Sequence, residues 1–184
     1  MQTVLIPHPD FARPGVNALD VEITRPAPRV LALRYVLTAG LAEVRLPALA
    51  APVRADGLWR RTCFEAFVRV PGGDGYCEFN LSPSTEWAAY GFDGYRAGMR
   101  SLEGIATPRV KTSVGEDHFV LEAVLDLDAL ADLPIDQPWR VGLSAVIEAG
   151  NGTLSYWALA HPAGRPDFHA ADCFTGEVAA PGAA

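Results

Sequence analysis

The chain has 184 residues, 49% of them apolar and 20% charged, the composition of one folded domain with its own core rather than of a disordered segment. Lys and Arg number 15 against 22 Asp and Glu, for a formal charge of −7. Without a basic excess to displace counterions, nucleic acid and anionic membrane surfaces are poor partners for the chain as a whole.

No apolar run approaches the roughly 20 residues that cross a bilayer. The start, Met1-Gln2-Thr3-Val4-Leu5-Ile6-Pro7-His8, lacks the basic end and long apolar stretch of a secretory signal, so the expected location is cytoplasmic. Three cysteines, Cys63, Cys77 and Cys173, show no CxxC spacing and read as reduced, packed thiols.

Alternation of apolar and polar residues dominates in chain order. Leu19, Val21 and Ile23 form the first apolar phase, followed by Leu31, Leu33, Tyr35 and Leu37, and by a short run at 44–46. Phe64, Ala66, Val68 and Val70 come next, then Cys77, Phe79 and Leu81. Later phases are Phe119 to Leu127 and Trp139 to Ile147, and a last strand is expected over 153–160. Short helices are expected at 84–90 and 128–131. About nine strands separated by Pro- and Gly-rich turns predict an all-β chain, an antiparallel β-sandwich of jelly-roll type with one or two short helices. The expected domain spans residues 1–178, with 179–184 as a tail.

The segment from Leu58 to Ser82 reads as a hairpin around a Pro71-Gly72-Gly73-Asp74 turn. Pairing Val70 with Gly75 sets Val68 opposite Cys77, Ala66 opposite Phe79 and Phe64 opposite Leu81, so the apolar set shares one face; a register displaced by two does the same. The other face then carries Cys63, Glu65, Phe67 and Arg69 across from Ser82, Asn80, Glu78 and Tyr76. Mid-strand glutamates have poor strand propensity and need partners when covered, which marks Glu65, Glu78 and Asn80 as candidate binding residues, with Trp59 and Arg61 at the edge of the same face.

A second cluster runs from Ser155 to His169. Its strand phase sets Ser155, Trp157, Leu159 and His161 on one face, and the following loop presents Asp167 and His169. Trp157, His161, Asp167 and His169 thereby join the candidate ligand-binding set. His161, Asp167 and His169 are also conceivable metal ligands, although their spacing is far less specific than HExxH on a helix. Met99 with a histidine is one axial pair that holds haem, but no CxxCH is present. No cofactor is expected, calcium and haem being the alternatives.

The hairpin residues Phe64-Glu65-Ala66-Phe67-Val68 and Tyr76-Cys77-Glu78-Phe79-Asn80-Leu81-Ser82-Pro83-Ser84 resemble DOMON-like domains, and within them the branch similar to family 9 carbohydrate-binding modules. Tyr156-Trp157-Ala158-Leu159-Ala160-His161-Pro162 and Pro166-Asp167-Phe168-His169 resemble a bacterial subgroup of the same domains. The likeness spans about residues 15–175. It implies a jelly-roll sandwich that binds a sugar or haem on one sheet, with Glu65 at the acidic strand position, Trp59 stacking on a sugar ring, and Glu78 and Asn80 on the partner strand. The family's acidic residue three places before the strand glutamate is Thr62 here.

The function expected is non-catalytic binding of a small molecule, a sugar or sugar-like polyol. Two other readings stand beside it: a metal- or carboxylate-dependent enzyme acting on a carbohydrate through Glu65, Glu78, His161, Asp167 and His169, and a protein-binding module anchored by Trp59 and Trp157. The oligomeric state stays open.

Overall fold

The structure, a computed structural model, describes residues 1–69 and 72–182. Two antiparallel sheets face each other. The five-stranded sheet has the order β1 (Gln2–Val4), β3 (Val16–Ala27), β4 (Val30–Ala39), β10 (His118–Asp126) and β9 (Arg109–Val114). The eight-stranded sheet runs β2 (Ile6–Pro7), β12 (Leu154–Ala158), β11 (Trp139–Glu148), β5 (Cys63–Arg69), β6 (Tyr76–Leu81), β7 (Trp87–Phe92) and β8 (Arg100–Ser101), with β13 (Gly176–Val178) also on β11.

Between the sheets the predicted apolar phases interlock. Leu19, Ile23, Leu31, Tyr35, Leu37, Leu121 and Leu125 of the first sheet meet Phe64, Ala66, Phe79, Leu81, Val141, Leu143 and Ala145 of the second, all fully buried. Tyr35 ties the layers together, its hydroxyl donating to the Glu65 carbonyl at 2.8 Å. The hairpin register is the expected one: Phe64 pairs with Leu81, Glu65 with Asn80, Ala66 with Phe79 and Val68 with Cys77. The Val70–Gly75 pair lies outside the described residues.

Both expected helices are corrected. Residues 87–92 form β7, a strand whose two faces are both covered: Trp87 and Ala89 turn into the core, while Ala88, Tyr90 and Phe92 pack on the outer side of the sheet. A strand buried on both faces loses its alternation and resembles a short helix in sequence. Before it, Ser84 Oγ donates to Glu86 and Ser82 Oγ takes the Ser84 N–H, closing a turn. Residues 128–131 are turns, begun by Asp126 Oδ1 accepting the Asp128 N–H. The helical turns among the described residues lie instead at Leu41–Glu43, Leu58–Arg60 and Ala171–Cys173. Of the short run at 44–46, only Val44 pairs, in a single bridge to Ala149. The polar edge strand β9 carries no apolar alternation and gave no signal.

Candidate functional site

On the outer side of the eight-stranded sheet, the second phase of each strand builds a separate apolar cluster. Phe67, Tyr76, Ala88, Tyr90, Phe92, Val146, Ala158, Phe168 and Phe174 form it, with Leu58, Trp59, Leu154 and Tyr156 packed at its margin. A hollow of about 560 Å³ opens in this layer, within the size range of small-molecule sites. Glu65, Glu78, Val146 and His169 line it from within, and Trp59, Arg60, Arg96, Met99, Tyr156 and Phe168 stand around it.

Strand pairing puts the acids there. Glu65 of β5 lies opposite Asn80 of β6 and Ser144 of β11, and the Ser144 hydroxyl donates to Glu65 Oε2 at 3.1 Å. Glu78 sits two residues along β6 on the same face. Its Oε1 accepts the Asn80 side-chain N–H at 2.7 Å, and its Oε2 is 3.8 Å from His169 Nε2. Glu65 and Glu78 are 2% and 5% exposed, and no Lys or Arg among the described residues forms a salt bridge with either. Burial, and then the charge of Glu78, hold the Glu65 carboxyl well above the usual carboxylate range, against the pull of Ser144 and Arg96. Burial raises Glu78 to about 6, although Asn80 and Arg96 favour its charged form.

His169 is held through Tyr76. Tyr76 Oη accepts the Arg96 backbone N–H at 3.2 Å and lies 2.7 Å from His169 Nδ1, while the other ring nitrogen, Nε2, faces Glu78. Burial, with help from Arg96, lowers the His169 pKa to about 4, so the ring is neutral across the physiological range.

Two turns complete the rim. Gly57, with φ +75°, opens the Leu58–Arg60 turn and lets it lay Trp59 edge-on against Tyr90, ring centroids 6.0 Å apart. The Asp93–Met99 loop is held by Asp167, which accepts from Tyr95 Oη, from Arg96 Nη2 at 2.8 Å and from the His169 N–H at 3.1 Å. Burial alone would raise the Asp167 pKa, but the bonds from Tyr95 and Arg96 hold it below the ordinary value.

The expected site residues fall into two groups. Trp59, Glu65, Glu78 and His169 line the hollow together. Asn80 points the same way but is fully buried beneath it, donating to Glu78 and accepting from the Cys63 thiol at 3.6 Å; it orients a carboxylate and is not itself exposed to a ligand. Asp167 anchors Arg96 rather than lining the hollow.

Arg61, Trp157 and His161 are corrections. The helical turn before β5 resets the alternation, so Arg60 enters the lining and Arg61 does not. Trp157 pairs with Ala145, whose side chain faces the core, and is 1% exposed inside the sandwich. Its outward neighbour Tyr156, opposite Val146, lines the hollow in its place. The ring of His161 packs against His8, and its Nε2 lies 2.9 Å from the Ile6 carbonyl.

His161, Asp167 and His169 thus turn to different partners, and among the described residues no three His, Cys, Asp or Glu side chains converge as metal ligands. Met99 and His169 do share the hollow, yet His169 has Nδ1 on Tyr76 and Nε2 turned to Glu78, so these residues do not fit an axial haem pair. Thr62 is structural: it donates to the Arg45 carbonyl and accepts the Glu148 N–H. Cys63 is no nucleophile, because burial and Glu65 push its thiol pKa well up.

No protein-family model and no curated protein matches the chain. Solved structures do. A candidate carbohydrate-binding protein from Bacteroides uniformis superposes with a TM-score of 0.69 at 18% identity, over 97% of this chain and 85% of that one. A family 9 carbohydrate-binding module from Caldicellulosiruptor kristjanssonii, in complex with cellotriose, gives 0.60 at 12% identity over 94% and 79%. The same organism's family 9 module with glucose gives 0.54 at 12% identity, over 94% and 81%. The fold is that of the family 9 carbohydrate-binding modules. Their β-sandwich is the frame on which β5, β6, β11 and β12 carry the hollow.

Proposed function

We propose that this chain is a non-catalytic binding domain for a sugar or sugar-like polyol, seated in the hollow on the outer face of the eight-stranded sheet. One observation carries the reading: two glutamates, buried and with no Lys or Arg salt bridge among the described residues, open into a cavity walled by aromatic rings. A sugar presents an apolar C–H face and a ring of hydroxyls. Trp59 and Tyr156 offer ring faces for the first, and Glu65, Glu78, His169, Arg60 and Arg96 offer donors and acceptors for the second. Burial favours the protonated form of Glu65, which can both donate and accept. The shared fold with modules seen with glucose and cellotriose supports the reading. We read the chain as a DOMON-like domain of that branch on its hairpin and Tyr156–Pro162 motifs.

Titration of the purified chain with glucose, cellotriose and a panel of other glycans, followed by tryptophan fluorescence, tests it. A saturable change is expected for at least one glycan, weakened about tenfold or more in Trp59→Ala and in Glu65→Gln. Unchanged affinity in Glu65→Gln and Glu78→Gln for every glycan that binds contradicts the placement in this hollow.

A second reading, glycoside hydrolysis, is favoured by one feature, two buried carboxyls in one cavity, both held above the usual carboxylate range. Release of reducing ends from a bound oligosaccharide, lost in both glutamine variants, distinguishes it from binding alone.

A further inference from the structure

His8 and His161 lie beside the hollow, and the proposed function uses neither. His8 follows β2, is 2% exposed, and donates its backbone N–H to the Tyr156 carbonyl at 2.8 Å. The two imidazoles meet edge to face, centroids 4.8 Å apart at 73°.

Hydrogen bonds on one nitrogen of each ring fix the protons. The Ile6 carbonyl can only accept, so His161 Nε2, at 2.9 Å, carries the hydrogen and Nδ1 is bare. The Asp10 backbone N–H can only donate, so His8 Nδ1, at 3.2 Å, is bare and the neutral ring keeps its proton on Nε2. The remaining two atoms, His8 Nε2 and His161 Nδ1, are both buried and have no partner. One is a donor and the other an acceptor, on rings already in contact. Leaving both unpaired costs far more than pairing them.

We propose that His8 and His161 form a proton-sensitive latch on the wall of the hollow: neutral, His8 Nε2–H bonds His161 Nδ1 directly or through one water, and a proton added at His161 Nδ1 sets donor against donor and opens the contact. The wall is coupled to the latch on both sides. His161 packs against Phe168, centroids 6.3 Å apart, while His8 packs against Phe11 and Phe11 against Tyr156 at 5.3 and 4.9 Å. Phe168 and Tyr156 both line the hollow.

Among the described groups that face the two rings, the Ile6 carbonyl favours the charge and no carboxylate joins it. β2 and its following turn present the Ile6 carbonyl, the Asp10 N–H and Phe11; β12 presents Tyr156; the later loop presents Phe168. Among the described residues no carboxylate forms a salt bridge with either ring. Burial, and then the neighbouring His8, already lower the His161 pKa from 6.5 while the Ile6 carbonyl opposes them. The unfolded chain therefore takes this proton more readily than the folded one. The latch holds at and above neutral pH, and its stabilisation drains away as pH falls below 6.5 toward the folded value.

Imidazole NMR of the isotope-labelled chain between pH 7.5 and 5 tests this. At pH 7.5 both rings are expected as Nε2–H tautomers, with the His161 midpoint below 6.5. Tyr156 and Phe168 ring signals should show a component with that same midpoint, beside any that follows Glu78, and lose it in His161→Gln. An Nδ1–H tautomer on either ring overturns the proposal in the wild-type chain, with no variant needed. Tyr156 and Phe168 signals that ignore the His161 titration, or whose component at the His161 midpoint persists in His161→Gln, overturn it as well. The outcome is independent of which glycan the hollow binds.

Discussion

Glu78 shows at the scale of one residue what the hollow costs the fold. A carboxyl with a folded pKa of about 6 against an ordinary 4.5 resists ionisation in the folded chain. Its favourable contribution is complete below about pH 4.5 and is lost as pH rises through 6. The difference is on the order of 2 kcal/mol at pH 8. Glu78→Gln keeps an oxygen for the Asn80 N–H and removes the charge. The variant should therefore be more stable than the wild type by up to about 2 kcal/mol at pH 8, with the gap closing near pH 4.5, as read by urea unfolding at the two pH values. Glu65 is shifted in the same direction, by burial and by Glu78. Neither group serves the core, and the sugar we propose would use both.

At the scale of the element, β12 separates core from site in two adjacent residues. Trp157 fills the sandwich, its Nε1–H on Ser155 Oγ at 3.1 Å, whereas Tyr156 faces the hollow. Trp157→Ala should cost about 3–5 kcal/mol of stability by leaving a cavity. Tyr156→Ala should leave the thermal midpoint within a few degrees and weaken glycan binding instead. Calorimetric melting of both variants, paired with fluorescence titration of each, checks the division.

The same strand marks how far sequence reading reaches. For β5 and β6 the need to put all apolar side chains on a common face narrowed the register to the observed one or a shift of two, and either sets Glu65, Glu78 and Asn80 on the outer face. β12 offers an apolar ring on either phase, Tyr156 or Trp157, so alternation alone could not choose. The choice is made by β11, which sets Trp157 against Ala145. β7 was illegible for a related reason, being covered on both faces. Arg96 and Phe168 carried no local signal, since their places depend on the Asp93–Met99 loop and the 161–169 segment meeting across Asp167.

For the molecule as a whole, the two sheets have different outer faces. The five-stranded sheet bears a row of alternating charges, Glu22, Arg34, Glu122 and Lys111, paired across strands. Arg34 and Glu122 approach to 3.6 Å with both side chains about half exposed, an arrangement that adds little to stability and presents no aromatic wall. The eight-stranded sheet instead covers its outer face with a second apolar layer, in which a hollow holds the carboxyls, the neutral His169 and the rim aromatics. We propose that a sugar is recognised there. Chemical-shift mapping of the labelled chain during titration with glucose or cellotriose tests it most directly. Perturbations are expected at the Trp59 indole, Glu65, Glu78, His169 and Tyr156, while Glu22, Arg34 and Glu122 stay fixed. Perturbations confined to the charged face, or none with any glycan at millimolar concentration, would contradict it.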